Sequence, residues 1–196
     1  INIASKDCRE NPYNFVVKGQ GCPDIQAVLS GTQAICLGKP ADLTINISAG
    51  LAPFMVTLSD GSTFTVNTIG DNVISVSPTA TTTYTITKVM DANGCCATNS
   101  GSAVVTVNPL PTPTIAVTET SGTTNNDGIL CSGASASLDA GAYSAWLWST
   151  TATTQSISTT TAGTYRVTVT DVNGCMASDT QLVIVNTIPT PTIVVT

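Results

Sequence analysis

Histidine does not occur anywhere in the 196 residues, and charged residues make up only 9% of them. Without histidine there is no Ser-His-Asp or Cys-His nucleophile and no His-ligated metal. Lys and Arg together number six against twelve Asp and Glu, for a net charge of −6. That leaves no basic footprint for a phosphate backbone, so nucleic acid is excluded as a natural partner. Long apolar runs are also missing. The longest are of the order of Leu182-Val183-Ile184-Val185, far short of the ~18–20 residues of a membrane-spanning helix, and no membrane insertion is expected. Nor does any pattern bring together the two facing carboxylates of a glycoside hydrolase. Asp60, Asp71, Asp91, Asp127 and Asp171 all fall in Gly- or Asn-rich turns. The expectation is a chain that is not an enzyme and holds no cofactor.

What fills the space is uncharged and β-forming: 42% of residues are hydrophobic and threonine dominates the rest. The length suits one large domain or two small modules, and internal repeats decide for modules. Asn108-Pro-Leu-Pro-Thr-Pro-Thr-Ile-Ala-Val-Thr118 returns as Asn186-Thr-Ile-Pro-Thr-Pro-Thr-Ile-Val-Val-Thr196. Asp91-Ala-Asn-Gly-Cys95 returns as Asp171-Val-Asn-Gly-Cys175, and Tyr84-Thr-Ile-Thr matches Tyr165-Arg-Val-Thr. Ile35-Cys36 matches Leu130-Cys131. The landmarks keep their order, giving a unit of about 80 residues. Within it the hydrophobic period is 2: Tyr165, Val167 and Val169 alternate with Arg166, Thr168 and Thr170, and Leu43, Ile45 and Ile47 with Thr44, Asn46 and Ser48. Period 2 with turn residues every 8–12 positions predicts all-β, tandem immunoglobulin-like sandwiches joined by short Pro-rich linkers. The expected layout is a strand fragment of a preceding sandwich at 1–31, one module at 32–109, a second at 110–186, and a linker with the first strand of a following module at 187–196. No signal peptide opens the chain, and Ile1-Asn2-Ile3 reads as a strand, so a piece of something longer is expected. The linker Pro109-Leu-Pro-Thr-Pro113 reads as a stiff spacer, because proline fixes φ and biases the residue before it towards extended geometry.

The seven cysteines form no C-x-x-C pair, which points to disulfides in an oxidising compartment. Cys36 and Cys131 each open a module, while Cys95 and Cys175 each follow an Asn-Gly turn. Pairing Cys36 with Cys95 and Cys131 with Cys175 closes loops of about 45–60 residues, each worth about 4 kcal/mol. A redox or metal role for them is the lesser alternative. Cys8 and Cys22 either bridge each other or have lost partners in a preceding domain. Cys96 is the odd thiol, either a buried small hydrophobe or a link to something outside the chain. In Asp171-Val-Asn-Gly-Cys175 a two-residue type I′ turn would place Cys175 on the face of Arg166. A type I turn followed by a Gly bulge places it with Tyr165, Val167 and Val169 in the core, and that is the turn expected. The first module carries Met90 as an extra residue, so a strand bulge there must restore the phase.

Asp91, Asn93, Asp171 and Asn173 are possible Ca²⁺ ligands, but each turn supplies too few oxygens and the turn itself explains the residue types. Core positions are assigned to Tyr84, Tyr165 and Trp148, the last stacked on the Cys131–Cys175 bridge. Trp146 is either packed in the core or at the module boundary, or a sugar-stacking platform. Asn46-Ile-Ser48 has the form of an N-glycosylation acceptor, a tripeptide close to chance.

Ala162-Gly-Thr-Tyr-Arg-Val-Thr-Val-Thr-Asp-Val-Asn-Gly-Cys175 resembles the closing motif of the PKD-like, immunoglobulin-like repeats of giant secreted surface proteins of Bacteroidetes-type bacteria, such as SprB-type gliding adhesins. Pro78-Thr-Ala-Thr-Thr-Thr-Tyr-Thr-Ile-Thr87, Val107-Asn-Pro-Leu-Pro111 and Trp148–Ile157 are similar to the same class, with Thr150-Thr151 replacing the usual Asn-Gly. The resemblance spans about residues 32–196. It implies type IX secretion, an extracellular place at the cell surface, and service in an adhesin or gliding filament, with adjacent modules, surface polysaccharide or other surface proteins as partners. Two alternatives stand beside it: spacer or carbohydrate-binding modules of a secreted hydrolase, and a surface-fibre subunit that exchanges strands.

Overall fold

The computed structural model describes residues 22–121 and 127–189, and there the chain consists only of strands and turns. It divides into two compact units between Asn108 and Pro109. The first contains β1 (Gln26–Ser30), β2 (Gln33–Cys36), β3 (Ala41–Ile47), β4 (Phe54–Leu58), β5 (Thr63–Val66), β6 (Gly70–Val76), β7 (Thr82–Tyr84), β8 (Ile86–Met90), β9 (Thr98–Gly101) and β10 (Ala103–Asn108). One layer has the order β6-β3-β1-β9. The other consists of β5-β4-β8 and β2-β10-β7, joined because β7 and β8 are successive stretches of one strand.

The second unit repeats this arrangement with fewer breaks. It contains β11 (Ala116–Glu119), β12 (Ile129–Cys131), β13 (Ala136–Asp139), β14 (Ala145–Trp148), β15 (Ser156–Thr159), β16 (Gly163–Thr170) and β17 (Met176–Asn186). The layers are β11-β13-β15 and β12-β17-β16-β14. In both units the second strand runs parallel to the last, β2 with β10 and β12 with β17, while most other pairs are antiparallel. This is an immunoglobulin-type sandwich.

The alternation in the sequence becomes the two sides of each layer. Leu43, Ile45 and Ile47 are fully buried between Thr44, Asn46 and Ser48, and Val167 and Val169 likewise. Each unit has its own apolar core, around Phe54, Leu43 and Ile45 in the first and Trp148, Leu138 and Val167 in the second. Truncating such a side chain to alanine costs about 2–5 kcal/mol. The extra residue of the first unit is absorbed at Thr87: Thr57 pairs with Lys88 but Leu58 pairs with Ile86. The bulge returns Ile86 and Val89 to the core on either side of exposed Thr87 and Lys88.

One boundary moves. Residues up to 31 were expected to belong to a preceding sandwich, yet β1 lies inside the first unit between β3 and β9. Ile25, Ala27 and Leu29 are buried in its core. At Gly101 a Cβ would stand 2.2 Å from the Leu29 carbonyl oxygen, so the close approach of β9 to β1 requires glycine there. The strand expected within Pro12–Gly21, and residues 190–196, lie outside the described residues.

Candidate functional site: turns, cysteines and aromatics

The two Asp-x-Asn-Gly-Cys turns have the bulged geometry. Asp91 N–H donates to the Cys95 carbonyl at 2.9 Å and Gly94 N–H to the Asp91 carbonyl at 3.0 Å. Asp171, Gly174 and Cys175 repeat the pattern at 2.9 and 3.1 Å. Gly94 and Gly174 hold φ of +83° and +78°, the left-handed bulge position. Cys95 and Cys175 consequently face inward and are buried.

The aspartates are consumed by the turns. Asp91 Oδ1 accepts from Asn93 N–H (2.9 Å) and Cys95 N–H (2.8 Å), and its Oδ2 accepts from Leu51 N–H (3.1 Å). Asp171 Oδ1 accepts from Asn173 and Cys175 N–H, both at 2.8 Å. These bonds give the carboxylates of Asp91 and Asp171 a structural role in the turns, while Asn93 and Asn173 take part through their backbone N–H. Among the described residues no three metal-ligating side chains come together.

The cysteine pairing differs from the sequence expectation. Cys95 is bonded to Cys22, with Cα atoms 5.5 Å apart, and not to Cys36. The expected Cys8–Cys22 bridge is thereby excluded, and Cys8 itself lies outside the described residues. Cys131 is a free, exposed thiol, so it does not bridge to Cys175, which is disulfide-bonded. Cys36 and Cys96 are disulfide-bonded too, so Cys96 is not the odd thiol.

The physical reason is distance along the fold. Cys131 pairs with Asn186 at the far end of β17, whereas Cys175 immediately precedes that strand's first residue, Met176. Eleven strand residues at about 3.3 Å each separate the two ends by roughly 35 Å. A disulfide requires Cα atoms within about 7 Å. Cys36, opposite Asn108 at the end of β10, is separated from Cys95 in the same way. Cys36 and Cys131 are the last residues of β2 and β12, the second strand of each unit.

Trp148 is buried in the second core with its indole N–H donating to the Thr154 carbonyl (2.8 Å), but no Cys131–Cys175 bridge exists for it to stack on. Trp146 shares that inner face, is partly buried against the core, and its indole N–H donates to the Gly141 carbonyl (3.0 Å). Tyr165 is buried, and its hydroxyl donates to the Thr161 carbonyl at 3.0 Å while bonding the Thr159 and Thr161 hydroxyls. This is the tyrosine corner of immunoglobulin-type sandwiches. Asn46, of the tripeptide Asn46-Ile-Ser48, lies in mid-strand on β3 with its amide on Asp71 Oδ1 (2.6 Å).

Sequence reasoning missed one surface feature. An open depression of about 450 Å³ in the first unit is lined by residues including Asp60, Ser62, Phe64, Ser75, Pro78 and Tyr84. Burial, then the nearby Asp60 carboxylate, pushes the Tyr84 phenol above its ordinary pKa. These residues come from separate strands and loops, and no local motif announces them.

No protein-family model and no curated protein matches the chain. Similar solved structures include the C-terminal 282-residue fragment of intimin, solved in complex with the intimin-binding domain of the translocated intimin receptor. It is 13% identical with a TM-score of 0.40, and the match covers 84% of this chain and 64% of that fragment. Rst D1-D2 is 11% identical with a TM-score of 0.35, over 84% of this chain and all (100%) of that one. The CARDB domain of a Pyrococcus furiosus protein, solved with di-metal ions, is 16% identical with a TM-score of 0.27, over 44% of this chain and 96% of that domain. None of the three is a SprB-type gliding adhesin, and they lend that resemblance no support.

Proposed function

We propose that this chain is a non-enzymatic structural repeat segment of a large extracellular adhesin or filament at the cell surface. The observation that carries the reading is repetition. The same sandwich is built twice in tandem, and its recurring polar motif, Asp-x-Asn-Gly-Cys, is spent on holding a turn. The Cys22–Cys95 bridge and the disulfide-bonded state of Cys36, Cys96 and Cys175 fit an oxidising, extracellular location. Service in gliding motility and export by type IX secretion are the finer part of the proposal and rest on the sequence resemblance alone. The partners would be adjacent modules, with surface polysaccharide or other surface proteins beyond them.

The test is made in the bacterium that encodes the chain. Antibody raised against residues 22–186 should label intact cells, and in-frame removal of these residues should impair attachment or gliding while leaving secreted hydrolase activity unchanged. Label found only after lysis, or hydrolase activity lost with attachment intact, would overturn the reading.

A second reading, a sugar-binding accessory module, has one observation in its favour: the depression holding Phe64, Asp60 and Tyr84. Glycan-array binding that disappears in Phe64→Ala would support it, and an array blank for the unaltered chain would end it.

A further inference from the structure

In each module the second strand ends in a cysteine beside the module's last residue. Cys36 stands opposite Asn108, and Leu37 N–H donates to the Asn108 carbonyl at 2.8 Å. Cys131 stands opposite Asn186, and Ser132 N–H donates to the Asn186 carbonyl, again at 2.8 Å. The two positions are equivalent in the fold, but the sulfurs differ in state. Cys36 is disulfide-bonded, while Cys131 is a free thiol on the surface.

The other end of each module carries a turn cysteine, Cys95 or Cys175, and both are bonded. Neither is bonded to the strand-end cysteine of its own module. Cys95 takes Cys22, which lies just ahead of β1, where the chain enters the module from whatever precedes it. A turn cysteine thus reaches the incoming segment, and a strand-end cysteine lies where the chain leaves.

We propose that Cys131 is a half-cystine that bonds the turn cysteine of a further module of this same repeat, stapling the exit of one module to the entry of the next. This rests on the tandem-array reading. Three observations carry it: the bonded state of Cys36 at the equivalent position, the pairing of Cys95 with the incoming segment, and the return of the Asn108–Thr118 sequence at Asn186–Thr196. A small core hydrophobe at this position would be buried. Instead Leu130 points inward and Cys131 outward. In forming the bond the two thiols lose two protons and two electrons. The electrons pass to a disulfide oxidant, which leaves as two thiols.

The test compares the 196-residue chain with one extended after Thr196 by a second copy of residues 119–186, which continues the repeat in register. Both are folded with reduced and oxidised glutathione, then alkylated under native conditions and peptide-mapped without reduction. Cys131 should be almost fully alkylated, or capped by glutathione, in the parent chain. In the extended chain it should be almost fully protected and joined to the copied Asp-Val-Asn-Gly-Cys peptide. Replacing the copied cysteine by serine should restore alkylation.

A protease-resistant added module with Cys131 still alkylated would overturn the staple and leave the array reading standing. An added copy that does not fold in this setting would overturn both. Preferential Cys131–Cys131 dimers of the parent chain would overturn the staple in favour of self-association.

Discussion

Replacing Thr151 by glycine should stabilise the second module, although it deletes a side chain. Thr151 has φ +71° and is the sole non-glycine residue with positive φ among the described residues. The reason is its turn: Trp148 N–H donates to the Ala152 carbonyl (2.9 Å) and Thr151 N–H to the Trp148 carbonyl (2.9 Å). Asp171, Gly174 and Cys175 make the same pair of bonds, so Thr151 occupies the place that glycine fills in the other turn.

A left-handed conformation costs an L residue about 1–2 kcal/mol, and β-branching places threonine towards the upper end. Glycine removes that cost but gives back about 0.5–1 kcal/mol in unfolded-chain entropy. The Thr151 side chain is exposed, so little packing is lost. The balance is a gain of about 0.5–1 kcal/mol, or roughly 2–8 °C in Tm for a module of this size. Gly174→Thr is the mirror experiment. A Cβ there meets nothing within 4 Å, so the substitution measures the backbone term and should cost a similar amount. Both tryptophans lie in the second module, so the thermal transition followed by tryptophan fluorescence reports on it alone. A Thr151→Gly protein no more stable than the parent, beside a harmless Gly174→Thr, would refute the reasoning.

Three other outcomes are expected. Cys95→Ser should cost the first module about 4 kcal/mol, because its bridge spans 73 residues. Calorimetry should show that transition falling while chelator moves neither module, and a large chelator effect would restore calcium to the Asp-x-Asn-Gly turns. Tyr165→Phe should destabilise the second module by about 1–2 kcal/mol by unpairing the corner, as read in a urea titration. The Gln155 side-chain amide, then the Gly141 N–H, holds the Asp139 carboxyl below its ordinary pKa. A depressed folded-state pKa gives stability that is present above the unfolded pKa near ~3.9 and is lost as pH falls through the lower folded value. Gln155→Ala should raise the Asp139 titration midpoint in carboxyl-resolved NMR, and an unmoved midpoint would remove Gln155 as the cause.

Much of this fold is written in alternation. The inward sets Leu43-Ile45-Ile47 and Tyr165-Val167-Val169 follow from period 2, because a one-residue slip would expose every one of them. The bulged Asp turns were also legible, since only that geometry turns Cys95 and Cys175 inward. The disulfide partners were not. Pairing depends on which end of the sandwich a cysteine reaches, which is decided by the parallel β2–β10 and β12–β17 registers. Nothing local encodes a parallel register between strands so far apart in sequence. The boundary at 31 was misplaced for a related reason. Pro23-Asp-Ile25 echoes Pro113-Thr-Ile115 ahead of each first strand, but the echo is too short to stand out beside the longer repeats. The depression near Tyr84 is assembled only by tertiary packing.

The Cys22–Cys95 bridge also decides how the first module answers tension. A pull between the residues ahead of Cys22 and those after Asn108 passes directly from one sulfur to the other. On that path the segment between them, which contains β1 to β8, is bypassed while the bond holds. Only the stretch from Cys95 to Asn108, the strands β9 and β10, remains in series. After reduction, unfolding of the module under load would release the 73-residue span, adding roughly 240–260 Å of contour at about 3.3–3.6 Å per residue. The bond thus sets an upper limit on how far this path can lengthen, and the redox state of the surroundings decides whether that limit holds.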